Sequence, residues 1–256
     1  MFLAIDIGNT NTVLGVFNGE TLGAHFRIMT RPERTVDEYG VLLLSLLREG
    51  GIDPSLFDGI AISSVVPPLT PTFQEVARDR FGRDPLMVEP GVKTGMPILY
   101  ENPHEVGADR IVNGVAAFAR YGGPAIVIDF GTATTFDAIT AKGEYLGGVI
   151  APGLGISAEA LFERAARLPR VDIKRPPRVV GRNTVNSMQS GLYFGYVGLV
   201  EGIVRRIRAE VGEELKVIAT GGLARAFEED LPIVSAFDEH LTLHGLRLIY
   251  EKNTDR

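Results

Sequence analysis

The chain has 256 residues, of which 45% are hydrophobic and 23% are charged, and its formal net charge is −6. This composition predicts a globular protein of one or two domains, with enough apolar material for a core. The absence of cysteine excludes disulfides and thiolate metal sites, and the negative charge argues against non-specific nucleic-acid binding. Since no apolar run could span a bilayer and no basic leader precedes the first strand, we expect a cytoplasmic protein without a membrane partner.

The first half of the chain opens with three predicted strands, at residues 2–6, 12–17 and 22–28. Asn18 and Gly19 predict a hairpin turn between the second and the third strand. The elements that follow alternate between helix and strand: a helix at 35–48, a buried strand at 59–66, a helix at 71–81 with Thr70 as N-cap, and a short strand at 85–89.

The second half repeats this order of elements. Its predicted elements are strands at 125–129, 134–140 and 145–151, a helix at 156–168, a long helix from about 184 to 211, a strand at 216–220 and a helix after it. The repetition predicts a duplication of whole domains, with an N-terminal domain at 1–116 and a C-terminal domain at 117–256.

One short template occurs in both halves, each time directly after an apolar strand. Residues 6–12 read DIGNTNT and residues 129–135 read DFGTATT, so both follow the pattern D-x-G-x-x-x-T. Glycine permits close backbone approach, successive N–H groups can bind an anion, and the carboxylate calls for a cation between itself and a phosphate. Either copy alone is equally compatible with an ordinary β-turn, but two matched copies favour polyphosphate with Mg²⁺.

Two mixed α/β domains that each begin with this template resemble the RNase H-like superfamily of acetate and sugar kinases, Hsp70 and actin. This resemblance implies an actin-like fold with an interdomain ATP cleft. The sequence has neither a P-loop motif nor a dinucleotide-binding fingerprint. Thr220, Gly221 and Gly222 follow a predicted buried strand, where side-chain-free backbone could lie against a nucleoside, although an ordinary strand-to-helix turn has the same pattern.

An acid and a base stand side by side near the start of a predicted helix, in the segment formed by Gly107, Ala108, Asp109 and Arg110. Asp109 could accept the proton of a substrate hydroxyl, and Arg110 could bind a carboxylate or a phosphate. The alternative is an exposed pair on a solvated helix surface.

Four motifs in order resemble those of the type III pantothenate kinases, a family that includes the Bvg accessory factor proteins. They are residues 6–11 and 129–132 for phosphate, 107–110 for pantothenate and the glycine-rich interface motif 147–153. Residues 220–222 match the family's adenosine motif. The resemblance covers nearly the whole chain and implies ATP-dependent phosphorylation of pantothenate, the first step of coenzyme A biosynthesis.

The resemblance also implies a role for each matching residue. Asp109 would be the general base, and Asp129 would bind a monovalent cation, potassium or ammonium, while Mg²⁺ would arrive with ATP. ATP would contact Asp6, Ile7, Gly8, Asn9, Thr10, Asn11, Thr12, Val13, Thr132, Thr220, Gly221 and Gly222. Pantothenate would contact Tyr100, Gly107, Ala108, Asp109, Arg110 and Thr184.

The long predicted helix carries glycines at three- and four-residue spacing, namely Gly191, Gly195, Gly198 and Gly202. Such a surface allows close packing, either within the chain or, as the family resemblance implies, in a homodimer whose pocket includes residues of the partner. Two other functions stay open from the sequence: another actin-fold phosphotransferase, and a nucleotide-binding transcriptional accessory factor without turnover.

Overall fold

The computed structural model describes residues 1–212 and 214–254, and the chain divides into two compact units. The first unit contains residues 1–116 together with 241–254, and the second contains residues 117–240. The final helix, which the sequence-based division places in the C-terminal domain, belongs to the first unit. The reason is packing, because the Tyr250 ring of that helix lies against Phe2 in a tilted arrangement, with ring centroids 4.8 Å apart, and its hydroxyl donates to the Asp58 carbonyl.

The first unit is built on a five-stranded mixed sheet. Its strands are β1 (Phe2–Ile7), β2 (Asn11–Asn18), β3 (Thr21–Met29), β4 (Gly59–Ser64) and β5 (Leu86–Met87), in the order β3-β2-β1-β4-β5. The first three strands are antiparallel, and β4 and β5 extend the sheet in parallel with β1. The helices that begin in this unit are α1 (Val36–Glu49), α2 (Thr70–Phe81), α3 (Ala108–Tyr121) and α6 (Leu241–Asn253).

The helix caps of the first unit agree with the sequence in part. Thr35, predicted to be the first residue of α1, is its N-cap and forms a capping box with Glu38. The prediction that Thr70 caps α2 is wrong: Leu69 is the N-cap residue, and the Thr70 hydroxyl donates to Ser64 Oγ instead, over 3.1 Å. Gly82 ends α2 in the left-handed conformation, at φ +66°.

The second unit repeats the sheet of the first. Its strands are β6 (Ala125–Phe130), β7 (Ala133–Ile139), β8 (Tyr145–Pro152), β9 (Lys216–Thr220) and β10 (Ala236–Phe237), and its helices are α4 (Leu154–Arg164) and α5 (Thr184–Val211). The order β10-β9-β6-β7-β8 has the same connections and directions as the first sheet. The prediction that residues 220–222 directly open a helix is wrong, since a four-residue 3-10 turn, Ala224–Phe227, follows them and the next α-helix is α6.

Each unit buries its own hydrophobic core against one face of its sheet. In the first unit, side chains of β1 and β4 pack with those of α1 and α2, among them Ile5, Ile62, Tyr39 and Phe73. In the second, side chains of β6 and β9 pack with α5, among them Ile128, Val217, Tyr193 and Val200. None of the helices in the described part of the chain combines the length and hydropathy that a membrane crossing requires.

Candidate functional site

The first copy of the template forms a loop of three residues, 8–10, between β1 and β2. Its backbone closes on itself, because the Gly8 N–H donates to the Asn11 carbonyl over 3.0 Å. Asp6, half-buried, lies just before this loop at the end of β1. Three polar side chains of the segment face solvent: Asn9, Thr10 and Asn11. Exposed donors at the end of a buried strand suit an anion such as phosphate.

The second copy of the template is shorter by one residue. Only Gly131 and Thr132 separate β6 from β7, and the strand register pairs Phe130 with Thr134, as it pairs Ile7 with Thr12 in the first unit. Thr12 and Thr134 therefore occupy equivalent positions, and both are buried. The sequence-based match of Thr12 with Thr135 is wrong.

The Asp129 carboxylate lies in the second unit, half-buried near the end of β6. The register pairs it with Thr135 on β7 and with Thr220 on β9, so a hydroxyl-bearing side chain stands beside it on each neighbouring strand. Gly221 follows at φ +93°, and a Cβ added there would overlap the Asp129 carboxylate. Carboxylate and hydroxyl oxygens in this arrangement suit a hard cation.

A buried carboxylate next to this group was not predicted from the sequence. Asp137 is fully buried in β7, where it accepts hydrogen bonds from the Thr135 hydroxyl at 3.1 Å and from the Tyr145 hydroxyl at 2.7 Å. The available signal was an aspartate inside a predicted strand, two residues after Thr135. Its effect is to fix the Thr135 hydroxyl beside Asp129.

The segment Gly107 to Arg110 forms the first turn of α3. The Arg110 N–H donates to Asp109 Oδ1 at 2.8 Å and to the Gly107 carbonyl at 3.1 Å. A Cβ on residue 107 would lie 2.5 Å from Asp109 Oδ1, so glycine leaves room for the carboxylate. Asp109 is half-buried and Arg110 is only 7% exposed, which differs from an exposed pair on a solvated helix surface.

Val65 connects this segment to the loop of residues 8–10 within the first unit. Its N–H donates to the Ile7 carbonyl at 3.1 Å, and its Cγ1 atom lies 3.7 Å from the position of a Cβ on Gly107. The loop and the start of α3 therefore meet at the carboxyl ends of β1 and β4. In open α/β sheets, ligands bind at this end of the strands.

Thr184 begins α5 in the second unit and lines a cavity of about 780 Å³. The cavity also has polar atoms of Arg182, Asn183 and Ser187 and apolar side chains of Leu161, Leu168, Met188 and Leu192. Asn183 caps the helix by accepting from the Asn186 N–H at 2.8 Å. An anionic group with an apolar body matches this combination of surfaces.

An ion pair ties the loop before α5 to the rest of the second unit. Arg175 Nε lies 2.6 Å from Asp230 Oδ2, and the Tyr193 hydroxyl donates to the same oxygen at 2.9 Å. The Arg175 guanidinium lowers the pKa of the Asp230 carboxyl, and burial raises the pKa of Tyr193 to about 12. The loop that borders the cavity is thus held by charge and hydrogen bonding, together with Val171 and Ile173, which pack against the core of the second unit.

The remaining sequence-predicted site residues lie where their elements place them. Four of them are half-buried: Val13 in β2, Tyr100 in the loop before α3, Ala108 at the first position of α3, and Gly221. Thr220 is buried, whereas Thr132 and Gly222 are exposed. Among the described residues, 1–212 and 214–254, no group of three or more His, Cys, Asp or Glu side chains is arranged to hold a metal ion. The carboxylates of Asp6 and Asp129 are the groups beside the two loops that could contact a cation.

Comparison with known proteins agrees with these motifs. Residues 2–206 match the family model described as type III pantothenate kinase. The chain belongs to this family. Relatives named type III pantothenate kinase include those of Koribacter versatilis, 60% identical over 99% of this chain and 96% of the relative, and Moorella thermoacetica, 56% identical over 99% and 100%.

Two solved structures show the fold. A Baf family protein from Campylobacter jejuni is 20% identical, covers 99% of this chain and 100% of that one, and has a TM-score of 0.62. An inorganic polyphosphate/ATP-glucomannokinase from Arthrobacter is 16% identical over 100% and 99%, with a TM-score of 0.52. The predicted two-domain actin-like fold is confirmed.

The type III pantothenate kinase model covers both loops, the start of α3 and Thr184. It ends before residues 220–222, which lie within the region aligned to the relatives.

Proposed function

We infer that this protein transfers a phosphoryl group from ATP to the primary hydroxyl of pantothenate, giving 4'-phosphopantothenate in the first step of coenzyme A biosynthesis. The observation that carries this conclusion is the intact segment from Gly107 to Arg110 in a chain that belongs to the type III pantothenate kinases. ATP with a divalent metal is the phosphoryl donor of such a kinase.

We propose that Asp109 is the general base. Its Oδ1 atom accepts from the Arg110 N–H, which fixes the carboxylate at the start of α3 in a position where it would accept the proton of the substrate hydroxyl. Phosphoryl transfer depends mainly on alignment and charge, so a fixed carboxylate is more important than a strongly basic one. Arg110 is suited to a substrate carboxylate, and Tyr100, Gly107, Ala108 and Thr184 complete the proposed pantothenate contacts.

The proposed ATP contacts lie on three loops. Residues 6–13 and Thr132 would bind the phosphates, and residues 220–222 would bind the adenosine. The self-closed backbone of the first loop and the exposed side chains that follow Gly8 support the phosphate role. The Asp6 carboxylate beside that loop fits Mg²⁺, which prefers one or two carboxylates together with phosphate oxygens. When bound, Mg²⁺ would neutralise phosphate charge.

We further propose that Asp129 binds a monovalent cation. The donor set fits, because the half-buried carboxylate has the hydroxyl-bearing residues Thr135 and Thr220 on its neighbouring strands. Potassium and ammonium both bind to such oxygens. The cation would supply positive charge near the second phosphate loop.

Turnover followed as ADP release tests two of these proposals: pantothenate as the phosphoryl acceptor and the monovalent cation at Asp129. We expect ADP release to require pantothenate and to be strong in potassium but weak in sodium. The matched control is ADP release without pantothenate in each salt. Pantothenate-independent turnover would instead support another actin-fold phosphotransferase, and no turnover in any salt would support a nucleotide-binding accessory factor. Equal rates in potassium and sodium would contradict the cation role of Asp129.

We also propose that the protein is a homodimer and that the second unit forms the interface. β8 is an edge strand, and two apolar side chains on it face solvent, Ile150 at 63% and Val149 at 36% exposure. Added Cβ atoms at Gly191, Gly195 and Gly198 of α5 would meet nothing within 4 Å. An open edge and a bare helix surface of this kind suit close packing with a second copy.

Ile150→Asp tests the interface. We expect the wild type to sediment as a dimer at micromolar concentration and the variant to sediment as a monomer, because burying an unpaired carboxylate in an apolar interface is unfavourable. Val41→Asp is the matched control, since Val41 is 66% exposed on α1 of the first unit. A monomeric wild type, or a dimeric Ile150→Asp variant, would contradict the proposal.

A further inference from the structure

Thr30 is the first residue after β3, and it makes three hydrogen bonds around the first phosphate loop. Its N–H donates to the Thr10 carbonyl at 3.0 Å, and its hydroxyl donates to the Gly8 carbonyl at 2.7 Å. The Thr12 hydroxyl lies 2.9 Å from the Thr30 hydroxyl. Thr30 is only 5% exposed, and nothing in the sequence analysis marked it.

The direction of this chain of hydrogen bonds follows from proton counting. A threonine hydroxyl has one proton, and that of Thr30 is donated to Gly8. Thr12 must therefore donate to Thr30. We call the sequence Thr12 hydroxyl to Thr30 hydroxyl to Gly8 carbonyl the threonine relay.

The threonine relay determines where the next amide of the loop points. In a trans peptide, the carbonyl of one residue and the N–H of the following residue lie on opposite sides. Because the Gly8 carbonyl is held toward Thr30, the Asn9 N–H is directed away from it. Asn9 is exposed, so this N–H is oriented for an anion on the open side of the loop.

The equivalent position in the second unit is Gly153, which directly follows β8. The Gly153 N–H donates to the Thr132 carbonyl at 3.0 Å, matching the bond from Thr30 to Thr10. A Cβ at 153 would overlap the Thr132 oxygen and lie 2.6 Å from the Gly131 oxygen, so this position has no room for a side chain. Without a threonine at 153, the buried Thr134 hydroxyl makes no hydrogen bond within the described residues.

We propose that Thr30 is a positioning residue for ATP, which acts through Gly8 by orienting the phosphate-binding amide of the first loop. This inference rests on the proposed function in taking ATP as the ligand of the loop. It assigns a role in nucleotide binding to a residue that itself need not contact the nucleotide.

Thr30→Val tests the inference, because it keeps the shape of the side chain and removes only the hydroxyl. We expect the Kd and the KM for ATP to rise about tenfold, as for loss of one hydrogen bond to a buried carbonyl, while the KM for pantothenate changes less than about twofold. Thr30→Ser should restore ATP binding to within about twofold of the wild type. Calorimetry with ATP alone gives Kd, and ADP release gives both KM values.

Thr134→Val is the matched control, since it removes the equivalent hydroxyl where no hydrogen bond exists. We expect its Kd for ATP to equal that of the wild type. A wild-type Kd in Thr30→Val, or equal losses in Thr30→Val and Thr30→Ser, would overturn the inference. If Thr30→Val does not fold, Thr30→Ala decides, since it also removes the hydroxyl and adds no atoms: weaker ATP binding supports the threonine relay, and unchanged binding overturns it. ATP binding without pantothenate turnover in the wild type would overturn the proposed function alone.

Discussion

Asp109→Asn should lower kcat by about 100-fold to 10,000-fold, the range expected for loss of a general base. Asparagine has nearly the same shape as aspartate, and its amide oxygen can still accept from the Arg110 N–H, a bond that measures 2.8 Å in the wild type. The side chain can no longer accept a proton from the pantothenate hydroxyl. Because the first phosphate loop is unchanged, the Kd for ATP should stay within about twofold of the wild-type value.

The measurement is steady-state ADP release at saturating ATP and pantothenate, together with calorimetric titration of ATP. Asp84→Asn is the matched control, because Asp84 is an exposed acid of the first unit, paired with Arg78 on the surface. Its kcat should equal that of the wild type. Undiminished turnover in Asp109→Asn would refute the base assignment, and loss of ATP binding in the same variant would show that the substitution disturbed more than the acceptor site.

The register of the second phosphate loop shows why the sequence was sufficient for the template but not for its alignment. Asp129 and Gly131 match Asp6 and Gly8, and threonine stands at both 134 and 135. Either threonine could be aligned with Thr12. The sequence-based match used Thr135, because it stands as far from Asp129 as Thr12 stands from Asp6, and this choice was wrong. Only strand pairing reveals that the second loop has lost a residue.

The errors in helix assignment have tertiary causes. Thr70 precedes Pro71 and has the local signature of an N-cap, but its hydroxyl bonds to Ser64, six residues earlier, and a 3-10 turn at Pro67–Leu69 runs directly into α2. The assignment of the last helix to the second unit failed for a similar reason. An amphipathic pattern predicts that a helix has a buried face but does not say which sheet covers it.

Thr30 was missed because its role depends entirely on contacts between distant residues. Its partners Thr12 and Gly8 lie 18 and 22 positions away. A threonine after a strand is ordinary, and no local motif distinguishes it. The segment from Gly107 to Arg110 was easier to single out, since its contacts lie within about one helical turn.

Gly221→Ala should weaken ATP binding by more than about tenfold and also destabilise the protein. Gly221 has φ +93°, a conformation that costs an L-residue about 1–2 kcal/mol. A Cβ there would in addition lie 2.7 Å from the Phe130 nitrogen and 2.8 Å from its carbonyl carbon, and would overlap the Asp129 carboxylate. The two Phe130 atoms are backbone atoms of the last residue of β6, so the end of this strand must move to make room for the alanine methyl group.

Three readouts separate the consequences of that movement: unfolding by denaturant, ATP titration, and the ratio of rates in potassium and sodium. Displacement of Asp129 should reduce the potassium preference as well as the affinity for ATP. Gly221 adjoins both the Asp129 carboxylate, which is the proposed cation ligand, and the Phe130 backbone, which leads into the second loop. Gly155→Ala is the matched control, since an added Cβ at this exposed position of α4 would meet nothing within 4 Å and alanine favours a helix over glycine. Wild-type ATP affinity and cation preference in a folded Gly221→Ala variant would mean that neither Gly221 nor the position of Asp129 matters for nucleotide binding, and both assignments would then fail together.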